Sequence, residues 1–217
     1  MGSCLESQSK EQTQPESDRT GGGKSMEIKG SVIIITGAAR GLGKAFAEAL
    51  LDRGAKICVA DIDSEQGQST VAELQAKHGE DSVIFVSCNV TSDDDFKAVW
   101  DATVEKLGPV NVLINNAGIG NEQEWDKTVA VNLGGCMRGT LLALDRMGTN
   151  KGGSGGVVVN ISSIVGVKAN PFGPVYSATK HAIIGLVRSL GVSIFHLLTY
   201  TLFPVLYHQL LFSKALL

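Results

Sequence analysis

The chain has 217 residues, of which 43% are hydrophobic and 19% charged, with a formal net charge of −3. That length supports one sizeable core in a single main domain, and the composition is that of an ordinary globular protein. The charge excludes a broad basic surface, so no nucleic-acid partner is expected. Four cysteines (Cys4, Cys58, Cys88 and Cys136) form no C-x-x-C pair and no metal-ligand spacing with the four histidines. No metal site is therefore expected, and a reducing, cytoplasmic setting fits.

Residues 1–25 are polar, end in a Gly run and read as a disordered tail without a signal peptide. Met1-Gly2 opens a myristoylation pattern, but Glu6 stands where that pattern needs Ser or Thr. "SVIIIT" (Ser31–Thr36) is β-branched, continuous and flanked by Gly, which predicts a fully buried first strand. A helix follows over Gly43–Gly54, then a strand at "KICVAD" (Lys56–Asp61) and a polar-faced helix over Ser64–Gly79. "SVIFVSC" (Ser82–Cys88) is the third strand, with Cys58 and Cys88 inside apolar runs as small buried hydrophobes. "TSDDDFKAVWDATVEKLG" opens on capping residues and carries apolar positions at Phe96, Val99, Trp100 and Val104, so it is a helix. "VNVLIN" (Val110–Asn115) is strand four, and a long helix is expected over Glu124–Met147. "VVVNIS" (Val157–Ser162) is strand five, and a further helix starts near Tyr176. Strands alternating with helices imply βαβ units on a parallel sheet. The strand runs say the same, because they do not alternate between polar and apolar.

"TGAARGLG" joins the first strand to the first helix, with glycines at 37, 41 and 43. Small residues there let backbone approach a pyrophosphate, and the helix N-terminus adds free N–H groups and positive dipole. A plain Gly-rich turn is the competing reading. A Walker phosphate loop is excluded, because Gly37 and Gly43 are six apart and Ala45 follows Lys44. Asp61 ends the second strand 18 residues after Gly43, where a dinucleotide fold places an acid on the adenosine ribose. A carboxylate there repels a 2′-phosphate and favours NAD over NADP. Arg40 argues weakly the other way, and a solvated loop acid is the competing reading of Asp61.

"YSATK" puts Tyr176 and Lys180 one helical turn apart on one face. A phenol titrates near pH 10, so service as a base at neutral pH needs roughly 4 kcal/mol of differential phenolate stabilisation. A neighbouring ammonium is one source of it. An exposed i,i+4 pair is the ordinary alternative for this spacing taken alone.

Five motifs in order change that balance: "TGAARGLG", "NNAG" (Asn115–Gly118), "VNL" around Asn132, "ISS" (Ile161–Ser163) and "YSATK". Together the chain resembles the short-chain dehydrogenase/reductase family over residues 26–192. The resemblance implies an α/β, Rossmann-type doubly wound parallel sheet with strand order 3-2-1-4-5. It also implies oxidation of a small-molecule secondary alcohol to a ketone. It makes Tyr176 the general base and gives Lys180 the tasks of favouring the phenolate and holding the cofactor ribose. It makes Ser163 the hydrogen-bond partner of the substrate oxygen, with Ser162 structural. Asn132 would kink the long helix and hold a relay water, and Asn115 would brace the sheet. Around the cofactor it implies Gly37, Arg40, Gly41, Leu42, Gly43, Asp61, Asn89, Val90, Asn116 and Gly118, with Tyr176 and Lys180. Asn89 stands where the family carries an Asp. The family commonly forms homodimers through the long helix and the Tyr-bearing helix, and the departure of this chain beyond the latter counts against that here.

That departure begins at residue 193. From Ser193 to Ser213 there is no Asp, Glu, Lys or Arg, and the family's sixth and seventh strands, Pro-Gly segment and lid are not recognisable. A membrane anchor fits the length of the apolar run, but Pro204, His196, His208 and Gln209 count against it. A replacement for strand six is disfavoured by the scarcity of β-branched residues. The favoured reading is a splice or frame variant lacking strands six and seven, with 193–217 as a divergent apolar tail. In that reading a weakly active or silent nucleotide-binding protein is the alternative to an active enzyme.

Overall fold

The computed structural model describes residues 27–191 and the backbone of a strand at 197–202. The expected tail 1–25, with its acylation pattern, and the rest of 193–217 lie outside the described residues.

The strands are β1 (Val32–Thr36), β2 (Lys56–Asp61), β3 (Val83–Ser87), β4 (Val110–Asn115), β5 (Gly156–Ile161) and β6 (Leu197–Leu202). They form one sheet in the order β3-β2-β1-β4-β5-β6, and every neighbouring pair is parallel. The helices are α1 (Gly41–Leu51), α2 (Ser64–His78), α3 (Asp93–Leu107), α4 (Trp125–Val129), α5 (Cys136–Met147) and α6 (Pro174–Gly191).

Residues of β1 alternate between two apolar layers. Ile33 and Ile35 face Ala47, Leu50 and Leu51 of α1 and Val71 and Leu74 of α2. Val32 and Ile34 face Phe96, Val99 and Trp100 of α3 and Ala143 and Met147 of α5. Ile34 and Ile35 are fully buried, each worth about 1.5–3 kcal/mol against exposure. This two-sided burial is why the strands read as unbroken apolar runs. The helix ends follow their sequence signals. Asp63 accepts from the Gln66 N–H at 3.1 Å to cap α2, and Ser92 caps α3 through the Asp95 N–H at 3.2 Å. Cys58 and Cys88 are buried free thiols, pushed up to about 12 by burial.

β6 corrects one expectation. The order 3-2-1-4-5 holds, but β5 is no edge strand, because 197–202 pairs parallel with it from Gly156↔Leu197 to Ile161↔Leu202. An uncovered parallel edge leaves a row of backbone N–H and C=O groups unpaired, and ladder bonds satisfy them whatever the side chains. Among the described residues no seventh strand follows, and no helix is long and apolar enough to cross a membrane.

Candidate active site

The connections from β1 and β4 leave the sheet in opposite directions, so a crevice opens beyond the carboxyl ends of these two central strands. The two ends are laced together there. Thr36 Oγ1 accepts from the Asn116 and Ala117 N–H groups at 3.0 and 3.1 Å. The Asn116 side-chain amide donates to the Thr36 and Gly37 carbonyls at 2.9 and 3.0 Å. Asn116, expected beside the cofactor, therefore braces the mouth of the glycine loop.

Each glycine of that loop is needed for a different reason. Gly37 has φ +66° and packs against Ala117, whose Cα would lie 2.7 Å from an added Cβ. Gly41 has φ +60° and faces open space, as a backbone that must receive a ligand would. A Cβ on Gly43 would run into the Gly37 carbonyl and lie 2.7 Å from the Asn116 Nδ2 and 2.8 Å from the Ala38 Cα. Most of these atoms are backbone and cannot swing away. Gly43→Ala should cost about 1–3 kcal/mol of stability, read by denaturant unfolding, and should weaken dinucleotide binding in a titration. The N-terminus of α1, beginning at Arg40-Gly41-Leu42, has no side-chain cap. Its free N–H groups and positive dipole suit an anion.

Beside the loop, the Asp61 carboxylate accepts from the Ala39 N–H at 2.9 Å and the Asp63 N–H at 3.1 Å. Arg40 lies 3.7 Å from the Asp63 carboxylate, so its charge is paired at this corner. On the same side of the crevice, past the end of β3, Asn89 Oδ1 closes a turn by accepting from the Thr91 N–H and hydroxyl at 3.0 and 2.8 Å. Val90 is buried under the backbone of Gly135.

The expected helix over 124–147 is α4 and α5 joined by a π-helical turn, Ala130–Gly135. Asn132 sits in that turn, 1% exposed. Its Oδ1 accepts from the Ile119 N–H at 2.8 Å, and its Nδ2 donates to the Ile119 carbonyl and the Thr179 Oγ1 at 2.9 and 3.2 Å. The wide turn thus pulls helix and loop together, as such turns do at functional sites. Gly118 is adjacent: a Cβ there would lie 3.3 Å from the Asn132 Oδ1 and 3.6 Å from the Lys180 Nζ.

Tyr176 and Lys180 share the face of α6 turned to this point. The Lys180 ammonium lies 5.5 Å from the centroid of the Tyr176 ring. It donates to the Ile161 carbonyl at 2.8 Å and is 3% exposed, and burial pushes it down to about 8. Cys136, within its field, is pushed up to about 12 by burial and donates to the Asn160 Oδ1 at 3.0 Å. Ser163 follows the end of β5, and its Oγ accepts from the Val165 N–H at 3.4 Å while keeping its own proton for another partner. Ser162 is buried and donates to the Lys180 carbonyl at 2.8 Å, a structural bond. Asn115 ties β4 to β5 and α5 through Asn160 and Thr140, at 2.8 and 3.2 Å.

Two contributors escape the sequence reading. Thr179 links Tyr176 to Asn132, donating to the Tyr176 carbonyl at 2.7 Å while accepting from Asn132. Its signal was present inside "YSATK", three residues after the Tyr. Glu122 reaches the first turn of α6 from 54 residues upstream, and no local spacing announces such a contact. Among the described residues, no group of three or more His, Cys, Asp or Glu side chains could hold a metal ion.

A two-sided parallel sheet, a glycine loop at its switch point and a Tyr–Lys pair beside a buried Asn define a dinucleotide-fold protein of one class. The chain belongs to the short chain dehydrogenase family, whose model matches residues 31–195. It is 39% identical over 168 residues to human 15-hydroxyprostaglandin dehydrogenase (NAD(+)), covering 77% of this chain and 63% of that enzyme. It is 36% identical over 172 residues to 3-oxoacyl-(acyl-carrier-protein) reductase FabG of Thermotoga maritima, covering 76% and 68%. A crystal structure of a short chain dehydrogenase/reductase from Burkholderia phymatum in complex with NAD superposes with a TM-score of 0.73 at 31% identity, over 82% of this chain and 66% of that one. The chain spans a little under two thirds of the 15-hydroxyprostaglandin dehydrogenases it matches.

Proposed function

We propose that the chain is an NAD-dependent oxidoreductase that converts a secondary alcohol to a ketone, acting on a small lipophilic alcohol as its 15-hydroxyprostaglandin dehydrogenase relatives suggest. The observation that carries this reading is the convergence of Tyr176, Lys180, Asn132 and Gly118 at the switch-point crevice.

The crevice suits a dinucleotide. The uncapped N-terminus of α1 and the open backbone at Gly41 would receive the pyrophosphate, and Asp61 would take the adenosine ribose. The carboxylates of Asp61 and Asp63, with Arg40 already paired, favour NAD over a 2′-phosphorylated cofactor. When bound, the nicotinamide supplies the hydride acceptor. The protein does the rest. Ser163 donates a hydrogen bond to the substrate oxygen, and Tyr176 Oη takes the alcohol proton. The buried Lys180 ammonium favours the phenolate and can reach the ribose hydroxyls. Asn132, fixed in the π-helical turn, anchors the loop that carries Gly118.

The test is NADH formation from a panel of secondary alcohols by the purified chain. Turnover with NAD and much weaker turnover with NADP are expected. Tight NAD binding without turnover on any alcohol would contradict the catalytic part and leave a nucleotide-binding protein.

A further inference from the structure

Glu122 lies in the loop between β4 and α4, yet its carboxylate contacts α6. Oε2 accepts from the Val175 N–H at 2.8 Å and Oε1 from the Tyr176 N–H at 3.0 Å. The first four backbone groups of a helix have no partner within it. Here all four are accounted for: the Gly173 N–H donates to the Asn170 carbonyl at 3.4 Å, Pro174 has no N–H, and Glu122 takes the next two, after which the Ser177 N–H opens the helical ladder by donating to the Gly173 carbonyl at 2.9 Å.

The loop that presents Glu122 is itself pinned. Asn121 Oδ1 accepts from the Gln123 and Glu124 N–H groups at 3.0 and 3.2 Å, and Thr128 Oγ1 donates to the Asn121 carbonyl at 2.7 Å. At its start, Ile119 is held by Asn132 through two bonds. The contacts therefore close a ring, from Asn132 to Thr179, to the Tyr176 backbone, to Glu122, and back along the loop to Ile119 and Asn132. Gly173 completes the fit, since a Cβ there would lie 2.9 Å from the Asn170 Nδ2 and 3.4 Å from the Glu122 Oε1.

We propose that Glu122 is the positioning residue for Tyr176. Its carboxylate fixes the first turn of α6, and so the phenol over Lys180, and its charge offsets the positive helix end beside the base. This rests on the reading of Tyr176 as the base. Two N–H donors of α6 converge on Glu122, one on each oxygen, and a carboxylate can accept both.

The test uses Glu122→Ala and Glu122→Gln in the full chain, with amide hydrogen exchange, NAD titration and kinetics on each. Glu122→Ala should speed exchange at the Val175 and Tyr176 amides. It should lower kcat about ten- to a hundredfold through misplacement of the base, with NAD affinity unchanged. Glu122→Gln keeps one acceptor and the shape, so it should recover part of kcat. Recovery by the isosteric amide with NAD affinity unchanged throughout marks positioning of the base, which general loss of structure would not produce. Unchanged exchange and kcat in Glu122→Ala, or a Glu122→Gln variant no more active than Glu122→Ala, would overturn the proposal. Should the wild-type chain turn over no secondary alcohol, the dehydrogenase reading fails on its own. Exchange at the two amides then decides Glu122, with wild-type protection in both variants against it and faster exchange for it.

Discussion

Tyr176→Phe is expected to lower kcat by about 10²–10⁴-fold, the usual worth of a positioned acid–base group, while leaving NAD affinity near the wild-type value. Phenylalanine keeps the ring that packs 5.5 Å from the Lys180 ammonium and keeps the backbone N–H that Glu122 accepts. Only the hydroxyl is lost. Steady-state kinetics with an NAD titration on the same preparation separates the two quantities. Wild-type kcat in the variant would remove Tyr176 from the chemistry.

Lys180→Met should lower kcat comparably and, against the usual trend for buried positions, raise stability at neutral pH. The Lys180 ammonium is pushed from 10.5 down to about 8, chiefly by burial. The sign follows from proton counting. Below about pH 8 the folded chain carries the whole cost of a buried ammonium. Between about 8 and 10.5 the folded chain has released a proton that the unfolded chain still holds, so stability rises with pH. Above 10.5 the gain is complete. The shift corresponds to something on the order of 3 kcal/mol. Methionine forfeits the bond to the Ile161 carbonyl, worth about 1 kcal/mol, so a net gain of roughly 2 kcal/mol near pH 7 is expected by this difference. Denaturant unfolding of both proteins across this range checks it: the gap should close as pH rises toward 10.5. A variant less stable than wild type at pH 7 would contradict the account. A residue that costs stability where it serves chemistry is a common feature of active sites.

The legible part of this protein is the part written in local pattern. The apolar, β-branched runs gave β1 to β5 within a residue or so, because helices cover both faces of a parallel sheet and few polar residues, such as Asn111 in β4 and Asn160 in β5, fall inside its strands. The spacing of Asp61 from the glycine loop was readable because the first βαβ unit has a fixed length. Asn132 in a π-helical turn was foreseen only as a kink, since no propensity separates that turn from α-helix. β6 was missed because a backbone ladder can recruit a segment whose side chains argue little for a strand. Glu122 was missed for a different reason. Its partners are 53 and 54 residues away, and only the closed fold brings the loop after β4 against the start of α6. The sequence thus carried the pairing of Tyr176 and Lys180 on one helix face and withheld the contacts that brace it.

The most direct measurement is transfer of deuterium from a secondary alcohol labelled at its carbinol carbon to NAD by the purified chain. The account predicts deuterated NADH from the wild type and, over the same interval, almost none from Tyr176→Phe. Equal transfer by both proteins, or bound NAD with no transfer from any alcohol by the wild type, would contradict it.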